Sequence, residues 1–187
     1  MDTTVFIHKL ALVESEHIGS RSRIWAFAHV MPGASIGEDC NVGEQCFIEG
    51  GVTIGDRVTI KNGVAIWTGV TIGDDVFVGP NAVFTNDLYP RSRVYHDEVP
   101  TTQVGKGTSI GANATIIAGN QLGEYSMIGA GSVVTKDIKP YQLVVGNPAK
   151  PIGWISRAGE KLRFENGICE SGDLTYELAN EEVRVRE

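Results

Sequence analysis

An aliphatic residue recurs every six positions along most of the chain, and this period restricts the fold more than any other feature. The first run contains Leu12, Ile18, Ile24, Val30, Ile36, Val42, Ile48, Ile54, Ile60, Ile66, Ile72 and Val78, with Phe84 in the next position. After one interruption, a second run contains Val104, Ile110, Ile116, Leu122, Ile128 and Val134. An α-helix repeats its apolar stripe every 3.6 residues and a long strand alternates every two, so neither explains this spacing.

A short strand followed by a corner does fit a six-residue unit. Glycine often follows the aliphatic residue, and a small or β-branched residue stands four places after it, as in Gly37 and Cys40 after Ile36. Three such units close one coil, and stacked coils bury their aliphatic side chains against one another. The spacing therefore predicts an all-β parallel β-helix in which Val30, Ile48, Ile66 and Phe84 form one column.

The repeats IGEDCN, VGEQCF, IGDRVT, IGDDVF, VGPNAV, VGKGTS and IGANAT resemble those of the hexapeptide-repeat acyltransferases. The resemblance covers about residues 10 to 153. It implies a left-handed β-helix, an acyl-coenzyme A co-substrate, and a homotrimer with its sites between subunits.

The interruption and the end of the chain divide the sequence into parts. We expect a β-helix domain over residues 1–153, with a surface loop inserted at about 86–103, and a small extension over 154–187. The extension abandons the six-residue period, and its segments EKLRF and LTYEL predict strands of one or two β-hairpins. Some relatives carry a small zinc ribbon in this place, but the lone Cys169 cannot form a tetrahedral zinc site, so we expect no metal.

The inserted loop is a candidate functional segment, because solenoids place insertions on their surface. Its Arg91 and Arg93 are candidates to clamp the pyrophosphate of a substrate, since the guanidinium fork suits phosphate. A solvated loop that contacts a neighbouring subunit is an equally good interpretation.

The segments VTIKNGVAIW (58–67) and FTNDLYPRS (84–92) resemble the branch of this family that N-acetylates nucleotide-linked amino sugars, particularly 3-amino sugars. The resemblance implies transfer from acetyl-CoA to the amine of a dTDP- or UDP-linked sugar. It also places Asn86 beside that amine, where related enzymes often carry a catalytic histidine. Another six-residue-repeat O-acetyltransferase and a non-catalytic solenoid are the alternative functions.

Asn86 cannot act as a general base, because an amide is not basic at neutral pH. It would orient the amine, or donate a hydrogen bond to the tetrahedral intermediate, so that positioning supplies much of the acceleration. If a base is needed, Asp87 or His96 is nearest in sequence. A purely structural Asn86, in the ladder or a turn, is the alternative.

The segment VVTKDI…VVGNPAKPI resembles the end of the family's β-helix, where coenzyme A lies between subunits. Small residues there would let the pantetheine approach the backbone, and lysines would meet the phosphates. The candidates are Ala112, Ala118, Gly129, Ala130, Lys136, Asn147, Pro148 and Lys150. The alternative is that the small residues only fill repeats and the lysines only face solvent.

Three further residues follow a repeat aliphatic, where glycine is common: Glu49, Lys61 and Trp67. We predict that they contact the acceptor, with Trp67 stacking on a nucleotide base or covering the sugar. Packing of Trp67 at a subunit interface is the competing interpretation.

Composition excludes several other classes of protein. The net charge of −7 disfavours nucleic acid as a partner, and no apolar run is long enough for a membrane helix. The acidic N-terminus does not resemble a signal peptide, so we expect a cytoplasmic protein. A zinc-dependent carbonic anhydrase of this fold needs three clustered histidines, whereas His8, His17 and His29 lie far from His96 in sequence.

Overall fold

A computed structural model describes residues 4–94 and 98–186. The first twenty strands are β1 (Phe6–Ile7), β2 (Leu12–Val13), β3 (His17–Ile18), β4 (Arg23–Ile24), β5 (His29–Val30), β6 (Ser35–Ile36), β7 (Asn41–Val42), β8 (Phe47–Ile48), β9 (Thr53–Ile54), β10 (Thr59–Ile60), β11 (Ala65–Ile66), β12 (Val70–Ile72), β13 (Phe77–Val78), β14 (Val83–Phe84), β15 (Thr102–Val104), β16 (Ser109–Ile110), β17 (Thr115–Ile116), β18 (Gln121–Leu122), β19 (Met127–Ile128) and β20 (Val133–Val134). Longer strands follow: β21 (Gln142–Val145), β22 (Lys150–Ile155), β23 (Lys161–Leu162), β24 (Ile168–Ser171), β25 (Leu174–Ala179) and β26 (Glu182–Arg186).

Strands three apart in sequence pair in parallel, so the chain winds into a β-helix of about eight turns. Sheet A has the order β1-β4-β7-β10-β13-β16-β19-β21-β22-β23, sheet B the order β2-β5-β8-β11-β14-β17-β20, and sheet C the order β18-β15-β12-β9-β6-β3. Most two-residue strands contribute one inward aliphatic side chain and one outward side chain, because neighbouring residues of a strand face opposite sides.

The predicted column of Val30, Ile48, Ile66 and Phe84 is confirmed in sheet B. Val30 pairs with Ile48, and Ile48 with Ile66, while the pairing of Ala65 with Val83 places Phe84 next in line. All four side chains are buried. The six-residue period thus produces one continuous apolar core through the coils.

The first coil departs from the predicted register at Leu12. Leu12 pairs with the outward His29 and is 54% exposed, whereas Val13 pairs with Val30 and packs against the core. The prediction for Leu12 was wrong because Ile18 follows Val13 by five positions instead of six, and a one-residue shift moves a side chain to the opposite face.

The corners between strands need a residue in the left-handed region of φ. Non-glycine residues adopt it at many of them, including Asp39 (φ 55°), Gln45 (φ 59°) and Asn81 (φ 55°). Adjacent coils also approach closely here. A Cβ on Gly43 would lie 2.7 Å from the backbone nitrogen of Asn62, so only glycine fits that position.

Two cysteines occupy small-residue positions inside the corners. Cys40 and Cys46 are buried, and their Sγ atoms donate to the carbonyl oxygens of Gly55 (3.1 Å) and Lys61 (3.2 Å). Burial raises the pKa of both thiols. Both cysteines are packing residues.

The insertion leaves the β-helix after β14 and returns at β15 without disturbing the stacking. The Thr102 N–H donates to the Gly69 carbonyl oxygen (2.9 Å), and Val104 pairs with Ile72 of the preceding coil. The loop is therefore an excursion from one corner.

The C-terminal strands are antiparallel. β22 pairs with β21 and spans the predicted boundary at residue 153, and β24–β26 form a three-stranded sheet. LTYEL lies within β25, whereas EKLRF contributes only β23. Tyr176 and Val183 pack with Tyr141 of the last coils, so the extension rests on the β-helix.

We expect Ile54→Ala to lower the free energy of unfolding by about 2–5 kcal/mol, because it leaves a cavity in the core. Thr53→Ala, on the exposed outward position of the same strand, should change it by no more than about 0.5 kcal/mol. Chemical denaturation of both variants at one protein concentration measures the difference. Equal effects of the two changes would contradict the inward assignment.

Candidate functional site

The predicted site residues lie on two corners of the β-helix. The first corner follows the strands of sheet A, the second follows those of sheet B, and the third follows those of sheet C. The first corner carries Lys61, Ala112, Gly129, Ala130, Asn147 and Pro148, with Lys150 beginning β22 beyond it. The second corner carries Glu49, Trp67, Asn86, Asp87, Ala118 and Lys136.

Glu49 and Trp67 lie on successive coils of the second corner. One carboxylate oxygen of the half-buried Glu49 accepts the Thr68 N–H (2.8 Å), and the Thr68 hydroxyl donates to the Gly50 carbonyl oxygen (2.8 Å). The carboxylate is thus held in place beside Trp67. Lys61, predicted to contact the same acceptor, stands on the first corner of the same chain.

The half-buried Trp67 packs against the core and continues a row of aromatic side chains on sheet B. Its ring lies 5.4 Å from that of Phe47, which lies 5.4 Å from the ring of His29 in an edge-on contact. His29 also pairs with Glu14 at 2.8 Å. Sequence reasoning missed Phe47, although its outward position on the coil before Trp67 was available from the period.

Asn86 and Asp87 begin the inserted loop, and both are half-buried. The Asp87 Oδ1 atom accepts the Tyr89 N–H (2.8 Å), which is the local hydrogen bond that aspartate makes in turns. Asp87 therefore stabilises the turn through Oδ1, and its Oδ2 atom takes no part in that hydrogen bond. The structure brings Asn86 and Asp87 to the corner that carries Glu49 and Trp67.

Arg91 and Arg93 lie on a tight turn of this loop, where Arg91 and Val94 form an isolated antiparallel bridge. Arg93 adopts φ 64°, and the Arg91 guanidinium donates to the Pro90 carbonyl oxygen (2.9 Å). Both arginines are exposed. His96, the other predicted base, lies outside the described residues.

The predicted coenzyme residues of the first corner form a narrow backbone surface. A Cβ on Gly129 would lie 2.7 Å from Cγ1 of Val145, so a larger residue there requires the Val145 side chain to move. The turn with the cis Asn147–Pro148 bond rests on Val133: Val133 N–H donates to Gly146 O (3.0 Å), and Ala149 N–H donates to Val133 O (2.8 Å). Small residues and this turn leave a surface that suits an extended ligand.

The two predicted phosphate lysines do not share this surface. Lys136 is exposed on the second corner, and Lys150 is exposed at the start of β22, beyond the first corner. Ala118 also lies on the second corner, where its N–H donates to the Thr85 hydroxyl (2.9 Å). Within one chain, the predicted coenzyme residues are therefore divided between two corners.

The third corner carries a ladder of ion pairs and none of the predicted site residues. Arg21 pairs with Asp39 (2.7 Å), and Arg57 pairs with Asp75 (2.6 Å). The guanidinium groups lower the pKa of Asp39 and Asp75 below the usual range for a carboxyl group. Exposed pairs of this kind add little stability because solvent screens them, so this corner is a solvated edge.

The described residues contain no group of three or more His, Cys, Asp or Glu side chains arranged to hold a metal ion. Nor does any helix in that part of the chain have the length and hydropathy required to cross a membrane.

Two comparisons with known proteins concern the sequence. The model of the bacterial transferase hexapeptide family (six repeats) matches residues 17–50, 51–86 and 101–136. The chain is also 53% identical, over 171 residues, to dTDP-3-amino-3,6-dideoxy-alpha-D-galactopyranose 3-N-acetyltransferase of Aneurinibacillus thermoaerophilus. That alignment covers 90% of this chain and 89% of the relative.

Two solved structures share the fold. A variant N-acyltransferase from Bacillus cereus, in complex with dTDP and coenzyme A, superimposes with a TM-score of 0.64 at 20% identity, covering 82% of this chain and 83% of that one. A hexapeptide-repeat acetyltransferase from Vibrio cholerae, in complex with acetyl coenzyme A, gives a TM-score of 0.58 at 29% identity, covering 66% and 72%. These similarities confirm the left-handed parallel β-helix. The matched repeats and the extent of the 53% identity show that the chain belongs to the bacterial transferase hexapeptide family, as an acyltransferase.

Proposed function

We propose that this protein transfers an acetyl group from acetyl-CoA to the 3-amino group of a dTDP-linked 3-amino-3,6-dideoxyhexose. The 53% identity to a 3-N-acetyltransferase of such a sugar, over 90% of the chain, carries this proposal. We also place the enzyme in the cytoplasm.

The reaction needs positioning more than a strong base. The lone pair of the sugar nitrogen attacks the thioester carbonyl carbon, and the C–N bond forms as a tetrahedral intermediate. The intermediate collapses with cleavage of the C–S bond, and the proton lost by nitrogen ends on the coenzyme A sulfur. Electron-withdrawing oxygens on the sugar lower the basicity of its amine, so a useful fraction arrives neutral and ready to attack.

Asn86 and Asp87 are the candidate catalytic groups at the second corner. Asn86 orients the amine or donates its side-chain N–H to the developing oxyanion, since an amide does not accept a proton at neutral pH. The carboxylate oxygen of Asp87 that does not accept the Tyr89 N–H is the candidate proton relay. Glu49 and Trp67 contact the acceptor sugar and its base, and Arg91 and Arg93 contact the pyrophosphate.

A homotrimer with sites between subunits agrees with the outward faces of the three sheets. Sheet C presents mostly polar outward residues: His17, Ser35, Thr53, Thr71, Gln103 and Gln121. Sheet B presents the most apolar set: Leu12, His29, Phe47, Ala65, Val83, Thr115 and Val133. Val83 is 47% exposed on this face. Burial of such a face against other copies is favourable, so sheet B is the face we place toward the three-fold axis.

This arrangement brings the two divided halves of the site together. If sheet B of each copy faces a three-fold axis, the first corner of one copy meets the second corner of its neighbour. Lys61 and the small residues around Gly129 then face Glu49, Trp67 and Asn86 of another chain. Coenzyme A would lie along the first corner, with its thioester directed at the amine held across the interface.

We expect acetyl-CoA-dependent thiol release with dTDP-3-amino-3,6-dideoxyhexoses, and little with UDP-3-amino-glucuronate, a 4-amino analogue or serine. The physical reason is that a built acceptor site rejects analogues that leave its polar groups unpaired. A thiol-reactive dye measures turnover. Absence of thiol release with every acceptor, together with absence of coenzyme A binding by calorimetry, would disprove the enzymatic function.

We expect Asn86→Ala to lower kcat by about tenfold to a hundredfold, because a hydrogen bond to the reacting groups is lost. The KM for acetyl-CoA should stay near the wild-type value, since this residue is placed beside the acceptor. Leu88→Ala, an exposed change in the same loop, is the matched control and should retain activity. A kcat of Asn86→Ala equal to that of the control would remove Asn86 from the catalytic groups.

We expect two impaired variants to recover activity when mixed. Ala130→Trp blocks the first corner, and Asn86→Ala impairs the second, so a mixed trimer contains some interfaces with both halves intact. Every mixed trimer has one of its three interfaces with both halves intact, so mixed trimers should recover about a third of the wild-type activity. Co-expression with two different affinity tags, followed by assay of the doubly tagged species, measures it. Recovery no greater than the sum of the separate variants would place each site within one chain.

A further inference from the structure

The structure assigns positioning roles to Thr85 and Thr102, the two residues where the inserted loop leaves and rejoins the β-helix. This inference rests on the proposed function and adds to it how the acceptor half of the site is held. The Thr85 hydroxyl accepts the N–H of Ala118 (2.9 Å), and the Thr102 hydroxyl accepts the N–H of Gly119 (3.0 Å). Two neighbouring backbone donors of one coil thus fasten both ends of the loop.

The normal ladder explains why hydroxyl groups are needed here. At uninterrupted corners, the N–H of the residue with positive φ donates to a carbonyl oxygen of the preceding coil, as from Asn81 to Asn62 (3.0 Å) and from Gly131 to Ala112 (2.8 Å). At Gly119 (φ 86°) the preceding coil departs as the loop. The side chain of Thr102 takes the place of that carbonyl acceptor.

Each bond has one buried partner. Thr102 is 1% exposed and Ala118 is 3% exposed, whereas Thr85 is half-buried and Gly119 is exposed, so a lost acceptor is replaced by solvent less easily than at an open surface. On the same corner, Asn120 donates its side-chain N–H to the Ile117 carbonyl oxygen (2.7 Å). The corner over residues 117–120 is therefore fixed by side chains from three directions.

The functional consequence follows from the neighbours of these threonines. Thr85 directly precedes Asn86, so its bond to Ala118 sets where Asn86 begins its path away from the coil. Thr102 fixes the returning end of the segment that carries Arg91 and Arg93. Neither hydroxyl needs to touch substrate, because the loop transmits their effect to residues that do.

The test compares Thr85→Val, Thr85→Ser, Thr102→Val and Thr102→Ser. Valine keeps the shape and removes the acceptor, whereas serine keeps the acceptor. Thr53→Val, at an exposed outward position of sheet C, is the matched control. For each valine variant we expect kcat/KM for the amino sugar to fall about tenfold or more, with the KM for acetyl-CoA within about twofold of wild type. The serine variants and the control should retain activity.

Amide hydrogen exchange supplies a readout that is independent of turnover. Protection of the segment containing Ala118 and Gly119 should fall about tenfold in the valine variants and recover in the serine variants. Two results would show that the threonines stabilise the fold in general and do not position the acceptor site. One is an equal loss of affinity for acetyl-CoA and for the acceptor in the valine variants, and the other is failure of the serine variants to recover activity and protection. Turnover by the wild type with unchanged kinetics in the valine variants would overturn the positioning role alone. If no amino sugar is turned over by the wild type, the proposed function and the positioning role fail together.

Discussion

Backbone hydrogen bonding between coils is the constraint on which the rest of the structure depends. The N–H of Thr59 donates to Val76 and the N–H of Lys61 to Val78, and the same register continues from coil to coil. Coils at this separation admit aliphatic side chains inside, and their backbones approach closely at corner glycines such as Gly43. Larger side chains occur at outward positions and directly after some strands, which is where Glu49, Lys61 and Trp67 stand.

The β-helix could be predicted from sequence wherever the period is strict, because each aliphatic position reports the same local geometry. Leu12 was misplaced since the spacing from Val13 to Ile18 is five, and the period alone does not reveal a shortened corner. The extension gave no period to follow. β26, the last strand of its three-stranded sheet, is stabilised by pairing with β25 and by the packing of Val183 near Tyr176. Such contacts cannot be inferred from a local sequence pattern.

The sequence predicts a set of candidate site residues but not their arrangement. Family motifs pointed to Asn86 and to Gly129, yet the structure places them on different corners of one chain. Residues 18 apart lie on the same corner, whereas Lys61 and Trp67 are six apart. The period alone would therefore have placed them on different corners, with Lys61 after a strand of sheet A and Trp67 after a strand of sheet B. The bonds of Thr85 and Thr102 had no such signal. Thr85 bonds a residue 33 positions away across an insertion whose path the period does not describe, and Thr102 bonds a residue 17 positions away.

The proposed site gives the two ends of the inserted loop a part in the chemistry. An amine of lowered basicity needs an accurate approach to the thioester more than it needs a base, and catalysis by approach depends on small errors in distance. Regular coils hold Glu49 and Gly129 rigidly, but Asn86 stands at the first residue of an irregular loop. Residues on loops are placed less precisely than those on strands unless other side chains support them. The Thr85 hydroxyl accepts a hydrogen bond from Ala118 on the neighbouring coil, so the backbone directly before Asn86 is held by the β-helix. The proposed reaction requires accurate placement at that residue.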